Sequence, residues 1–126
     1  MKISPPLLAE IVEHARREAP NECCGLIAIA GDEAVAVHQA ENVELSPYRF
    51  QIDPATLLQA ARIEDDGQRI GIYHSHTRSE PYPSQTDINQ AALWPGAEWL
   101  IVGLAGDAPV IRSYFIEDGS VREVGA

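Results

Sequence analysis

"RIGIYHSHTRSEPYPSQTD", residues 69–87, combines a strand, a proline-containing loop and the start of a helix. Side chains two residues apart on a strand point to the same side, so His74 and His76 can converge on one point. Ser84 suits the N-cap of the following helix, and Asp87 suits its first turn. The segment therefore predicts that the end of a strand and the start of a helix lie close together.

His74, His76 and Asp87 form a candidate metal site. Two neutral imidazoles and one carboxylate are suitable zinc ligands, and a catalytic zinc site leaves one tetrahedral position for water. Pro81 and Pro83 restrict the loop, which lowers the entropy cost of returning Asp87 to the histidines. The residues alone leave two alternatives open. The histidines are surface or satisfied core residues that bind no metal, or Ser84 and Asp87 only cap the helix.

The rest of the chain predicts a mixed α/β (α+β) domain. We expect a curved, largely antiparallel sheet with helices packed beside it. Helical spacing, capping residues and prolines predict helices over residues 4–19, 53–66 and 84–94. Apolar runs bounded by turn residues predict strands over residues 23–30, 34–38, 48–52, 69–76, 99–105, 110–116 and 121–124.

Composition limits the classes of function. With 126 residues, 45% of them hydrophobic, residues 1–126 are expected to form a single domain. The net charge of −10 and the lack of a basic cluster argue against nucleic acid as a partner. Glu10 and Glu13 interrupt the first apolar run, so it suits neither a signal peptide nor a membrane span. Because Cys23 and Cys24 are adjacent, we expect no disulfide framework and a cytoplasmic location.

Glu22 is a candidate general base. Zinc lowers the pKa of a bound water to about 7, but attack on an amide also requires a group that transfers protons and is not itself a ligand. Glu22 lies at the start of the apolar strand 23–30, directly after Pro20 and Asn21. From its position alone, a solvated acid at the end of a strand remains the alternative.

The chain resembles the JAMM (MPN+) zinc metalloprotease family over nearly its whole length. The resemblance is carried by Glu22 in "PNECCG" and by the pattern H-x-H-x(7)-S-x(2)-D, formed by His74, His76, Ser84 and Asp87. It implies the MPN (cytidine-deaminase-like) fold and one Zn²⁺ per chain, held by the two histidines and the aspartate. It also implies that Glu22 moves protons between the metal-bound water and the leaving amine, and that Ser84 donates a hydrogen bond to the oxyanion.

Further motifs are similar to the bacterial Mec type of this family. They are "HSHT", "YPSQTD", "HARR" and "PNECCG". The resemblance implies a ubiquitin-like sulfur-carrier protein with a C-terminal Gly-Gly as the partner, from which cysteine is released for cysteine biosynthesis. Thr77 stands where polyubiquitin-specific members usually have proline, which argues against polyubiquitin as the substrate. Family members often self-associate, so a homodimer is compatible with the resemblance.

Several alternatives stay open at this point. The protein is a peptidase for this carrier, a JAMM peptidase for another carrier, a zinc hydrolase of small molecules, or a non-catalytic MPN scaffold. Arg78 is a candidate clamp for the carboxylate of the departing cysteine, or a solvated loop residue. Cys24 is expected to be a buried structural thiol rather than a nucleophile. Trp94 and Trp99 are expected to pack in the core.

Overall fold

The computed structural model describes residues 1–124 of the chain, which form three helices and six strands. The helices are α1 (Pro5–Glu18), α2 (Pro54–Asp65) and α3 (Gln85–Ala91). The strands are β1 (Cys24–Ala30), β2 (Glu33–Ala40), β3 (Arg69–His76), β4 (Glu98–Gly103), β5 (Val110–Glu117) and β6 (Ser120–Val124). In this range, no helix has both the length and the apolar character that a membrane span requires.

The strands form one sheet in the order β2-β1-β3-β4-β5-β6. Within residues 1–124, β3 and β4 pair in parallel, and the other neighbouring strands pair antiparallel. This topology confirms the mixed, largely antiparallel sheet. Parallel neighbours require a long crossover, and here the crossover consists of the loop 77–84, α3 and the turn before β4. The loop and helix that carry Ser84 and Asp87 therefore leave the sheet from the end of an interior strand.

The side chains of β3 pack into two apolar clusters, one on each side of the sheet. Ile72 packs in a cluster that also includes buried residues of α2 and α3, whereas Tyr73 packs in a second cluster with Ile11 and Ala15 of α1. Successive strand residues point to opposite sides of a sheet. His74 therefore shares the side of Ile72 and faces the layer that contains α3.

The strand predicted over residues 48–52 is wrong. In this segment Ile52 makes an isolated bridge with Asn42, and the segment adds no strand to the sheet. The side chain of Asn42 binds the backbone instead: its amide donates to the Arg49 carbonyl oxygen at 3.1 Å, and its oxygen accepts from the Gln51 N–H at 3.0 Å. Local side-chain bonds of this kind compete with the pairing of strands.

Other elements differ from the sequence predictions at their ends. The third helix stops at Ala91 rather than Trp94, because Leu93 and Trp94 donate to carbonyl oxygens three residues earlier and so form a tighter turn. Ser4 precedes α1 without making a side-chain cap bond, whereas Asp53 caps α2 by accepting from the Thr56 N–H. These differences lie outside the segment that positions the candidate site.

Candidate metal centre

His74 and His76 end β3 with their side chains buried. His74 is fully buried and His76 is 4% exposed. The Nε2 atoms of the two rings are 3.2 Å apart. The spacing of two residues along a strand has therefore brought the imidazoles together, as the sequence predicts.

Asp87 reaches the same point through the start of α3. Its Oδ2 atom lies 3.1 Å from Nε2 of His74 and 3.0 Å from Nε2 of His76. The same atom accepts from the Ser84 N–H at 3.0 Å, while Ser84 Oγ accepts from the Asp87 N–H at 3.1 Å. This reciprocal capping box fixes Asp87. The helix cap and the cluster of ligand groups are thus one structure.

The three converging atoms fit a metal ion. Ligand atoms about 2.0 Å from a tetrahedral zinc ion lie about 3.3 Å from one another, close to the 3.0–3.2 Å found among His74, His76 and Asp87. Nδ1 of His76 is 2.8 Å from the Glu80 carbonyl oxygen. Because a carbonyl oxygen only accepts, Nδ1 carries the proton and Nε2 can direct its lone pair at a metal.

Charge within the cluster favours an ionised carboxylate. Burial alone would raise the pKa of Asp87, but the charge of His74 and the hydrogen bonds of His74, His76 and the Ser84 N–H hold that pKa well below its usual range. Burial works against protonation of His76, yet its bonds to Asp87 and the Glu80 carbonyl raise its pKa. Two imidazoles and a carboxylate at this spacing require a proton or a cation between them, and a divalent cation would serve all three.

Glu22 is buried beside this cluster, with 3% of its surface exposed. One of its carboxylate oxygens is within 4.8 Å of ring nitrogens of His74 and His76. Glu22 could therefore form an alternative ligand set with the two histidines. The histidine nitrogens lie only 3.0–3.1 Å from Asp87, which favours Asp87 as the third ligand. Glu22 then lies next to the three ligands without being one of them.

The backbone on both sides of Glu22 is fixed. Its N–H donates to the Ser46 carbonyl oxygen at 2.8 Å, and its carbonyl oxygen accepts from the Asn42 amide at 3.0 Å. The next residue, Cys23, donates its N–H to Ser75 Oγ at 2.8 Å. Glu22 is thus held at the point where β1 begins its pairing with β3.

The Glu22 carboxyl lacks a partner for one of its oxygens. Oε1 is buried without a hydrogen bond to any of residues 1–124. Burial is the main cause that raises the pKa of Glu22 to about 8; the His76 charge lowers it and the Asp87 charge raises it. A carboxyl with a pKa near neutrality can both accept and return a proton.

Aromatic rings enclose His74. Phe50 stacks on the imidazole with ring centroids 4.6 Å apart and an angle of 27° between the planes. Trp99 meets the same imidazole edge-on at 6.1 Å. Nδ1 of His74 is buried and has no hydrogen-bond partner within residues 1–124. The ring is therefore held by packing and by the contact of its Nε2 with Asp87, and Phe50 is a contact that sequence patterns did not identify.

Among the described residues, the other candidates add no ligand atom to this cluster. Arg78 is exposed on the loop and pairs with no acid in the described part of the chain. Cys23 and Cys24 are buried free thiols. Burial raises the pKa of Cys23 to about 12 and raises that of Cys24 as well, so neither is an activated nucleophile. Trp99 is buried, and Trp94 packs against the same cluster.

Comparisons with known proteins agree with this geometry. The profile of the family described as prokaryotic homologs of the JAB domain matches residues 4–117. The CysO-cysteine peptidase of Mycobacterium tuberculosis is 36% identical over 126 residues, which cover 96% of this chain and 86% of that protein. A desampylase of Haloferax volcanii is 38% identical over 101 residues, covering 72% of this chain and 71% of that protein.

A solved structure shares the fold. A JAB1/MPN domain protein from Archaeoglobus fulgidus superposes with a TM-score of 0.64 at 22% identity, covering 98% of this chain and 96% of that one. This likeness confirms the MPN fold. With the family profile spanning nearly the whole chain and the two relatives more than 30% identical, this chain belongs to the prokaryotic JAB family, a group of JAMM-type hydrolases.

Proposed function

We propose that this protein is a zinc-dependent peptidase that hydrolyses the bond after the C-terminal Gly-Gly of a ubiquitin-like sulfur-carrier protein and releases cysteine. One observation carries the proposal. The ligand atoms of His74, His76 and Asp87 converge within 3.2 Å, and Glu22 lies beside them with an unbonded oxygen. Similarity to the CysO-cysteine peptidase supports this choice of substrate.

We assign each residue a role that its position supports. His74, His76 and Asp87 would hold the zinc ion, which when bound would lower the pKa of a water molecule and polarise a carbonyl group. Glu22 accepts a proton at Oε1 from the attacking water and delivers it to the leaving amine. The hydroxyl of Ser84 already accepts from the Asp87 N–H, so its own proton is free to stabilise the oxyanion.

A carrier with a narrow tail is part of this proposal. Its extended Gly-Gly segment would lie as an added strand beside the active site, where only a tail without side chains fits. Arg78 is exposed two residues after His76, and we assign it to the carboxylate of the departing cysteine. The free thiols of Cys23 and Cys24 suit a cytoplasmic location. We also propose that the protein forms a homodimer.

Two experiments test this function. First, the zinc content of the purified protein is measured, with about one ion per chain expected and none expected in a His74→Ala, His76→Ala variant. Second, the protein is incubated with a carrier that ends in Gly-Gly-Cys, and the products are weighed by mass spectrometry. We expect loss of one cysteine residue, and no loss with Glu22→Gln. Hydrolysis that survives in Glu22→Gln would contradict the role of Glu22.

A second candidate is a JAMM peptidase for another ubiquitin-like carrier. Similarity to the desampylase favours it. The same carrier body is offered with a C-terminal cysteine, with a C-terminal alanine, or joined through Gly-Gly to a lysine side chain of a second protein. Preference for the lysine conjugate would favour this candidate.

The role of Arg78 has its own test. A Michaelis constant for the cysteine substrate that is unchanged in Arg78→Ala would exclude Arg78 as the clamp for the cysteine carboxylate.

A further inference from the structure

One backbone carbonyl group binds the His76 ring on the side away from Asp87. Nδ1–H of His76 donates to the Glu80 carbonyl oxygen at 2.8 Å, and the Tyr82 N–H donates to the same oxygen at 2.8 Å. An outer-shell acceptor of this kind selects the tautomer of a ligand histidine and fixes its ring. Any group that fixes the turn at residues 80–82 therefore affects the direction of His76 Nε2.

The turn rests on the sheet at Pro81. A Cβ atom added to Gly103, the last residue of β4, would lie 2.8 Å from Cδ of Pro81. Carbon atoms do not approach so closely without displacement, so the absence of a side chain at Gly103 leaves the space that the Pro81 ring occupies. The contact joins the middle of the loop 77–84 to the strand that pairs with β3.

Tyr114 holds the same proline from β5. Its buried hydroxyl donates to the Pro81 carbonyl oxygen at 2.6 Å. The Glu80 carbonyl oxygen accepts from His76, and the Pro81 carbonyl oxygen accepts from Tyr114. These two carbonyl groups lie on either side of the Pro81 ring, which restricts the backbone. One short turn of chain therefore connects Tyr114 to His76.

We propose that Tyr114 is a positioning residue for His76, acting through the Pro81 turn that is seated on Gly103. The proposal rests on the function proposed above in assigning His76 to the metal. Tyr114 itself touches neither the histidines nor Asp87 through a hydrogen bond. Its hydroxyl keeps the Glu80 carbonyl where the His76 Nδ1–H needs an acceptor, and it thereby preorganises the ligand set.

A matched pair of variants tests this role. Tyr114→Phe removes the hydroxyl and keeps the ring. Tyr82→Phe is the control, because Tyr82 packs edge-on against Tyr114 but is 56% exposed and its hydroxyl bonds to nothing within residues 1–124. Zinc affinity is measured by competition with a chromogenic chelator, and the ring ¹⁵N and Nδ1–H signals of His76 are recorded by NMR in the metal-free protein at pH 8.

We expect Tyr114→Phe to weaken zinc binding about tenfold, the lower end of the effect of outer-shell partners. We also expect its His76 Nδ1–H to exchange with solvent faster, while Tyr82→Phe matches the parent protein in both measurements. A purely structural role would lower the urea midpoint and leave the zinc affinity of the folded protein and the His76 signals unchanged. That outcome would overturn the proposal.

Gly103→Ala provides a second, independent route to the turn, including the case in which Tyr114→Phe does not fold. The added methyl group displaces Pro81, so zinc affinity falls and the His76 signals shift in the same direction. Because both substitutions act on one turn, their effects on the logarithm of affinity in the double variant are less than additive. Full additivity, or a Gly103→Ala protein with unchanged His76 signals, contradicts the proposal. If the parent protein binds no zinc, the proposed function is contradicted instead. The effect of Tyr114→Phe on the exchange of the His76 Nδ1–H in the metal-free protein still tests the role of Tyr114.

Discussion

Asp87 binds the backbone N–H of Ser84 with the same oxygen that it directs at the two histidines. The carboxylate therefore takes part in both the helix cap and the ligand cluster, and the two contributions can be separated by substitution. An asparagine oxygen can still accept from the Ser84 N–H, but it carries no charge.

For Asp87→Asn we expect zinc affinity to fall by at least about 100-fold, because a neutral amide replaces a charged ligand. The urea midpoint of the metal-free protein at neutral pH should fall, because the charge that His74 and His76 favour is lost, while the cap remains. Asp87→Ala should lose both affinity and about 1 kcal/mol of stability from the cap. Equal zinc affinity of Asp87→Asn and the parent protein would exclude Asp87 as a ligand.

Ser84→Ala should separate binding from catalysis. We expect kcat to fall roughly 10²–10³-fold, the typical effect of removing one oxyanion donor. Zinc affinity should stay within a few-fold, because the Ser84 N–H that binds Asp87 remains. Steady-state kinetics and chelator competition on the same sample provide the comparison. A loss of zinc affinity as large as the loss of kcat would assign Ser84 to the metal site rather than to the oxyanion.

Glu22→Gln should stabilise the metal-free protein while abolishing activity. The folded state raises the pKa of Glu22 from its ordinary value of 4.5 to about 8, chiefly through burial. A raised folded pKa contributes stability below pH 4.5 that is lost as the pH rises towards 8, because the ionised form is disfavoured in the fold. At pH 7 the difference from the glutamine variant is roughly 3 kcal/mol.

Urea unfolding from pH 5 to pH 8 checks this prediction. The curves of the parent protein and Glu22→Gln should diverge with rising pH when no metal is present. With zinc bound, the difference should become smaller, because a nearby divalent cation favours the carboxylate. Parallel curves in the metal-free protein would mean that Glu22 ionises in the fold as easily as in the unfolded chain.

Phe50→Leu should weaken the metal site through His74. Leucine keeps apolar volume next to the imidazole but loses the stacked geometry, which is worth about 0.5–1.5 kcal/mol beyond burial. We expect zinc affinity to fall by a few-fold and the His74 ring signals to broaden in NMR spectra. Sharp, unshifted His74 signals in the variant would show that Trp99 and the backbone suffice to orient the ring.

The residues of the site that follow from local rules could be predicted from the sequence. His74 and His76 follow from the period of a strand, and the position of Asp87 follows from the capping of a helix. Glu22 was one acid among many, and its place next to the cluster depends on the pairing of β1 with β3. Resemblance to a family, rather than spacing, singled it out.

The supporting contacts could not be predicted in this way. Phe50 reaches His74 from a segment predicted as a strand, and that prediction failed because the Asn42 side chain takes the backbone groups of the segment. The contact of Tyr114 with Pro81 joins residues that are 33 positions apart. Contacts of this kind depend on the packed tertiary structure, and no local pattern encodes them.

The pairing of Cys24 with His74 fixes how far Glu22 lies from the two imidazoles. Successive residues of a strand point to opposite sides of the sheet. Deleting one residue at the start of β1 would therefore move each side chain before the deletion to the opposite side of the sheet. Glu22 would then point towards the layer of α1, on the other side of the sheet. The distance from Glu22 to the imidazoles is therefore not continuously adjustable: strand pairing permits it in one register and forbids it in the neighbouring ones.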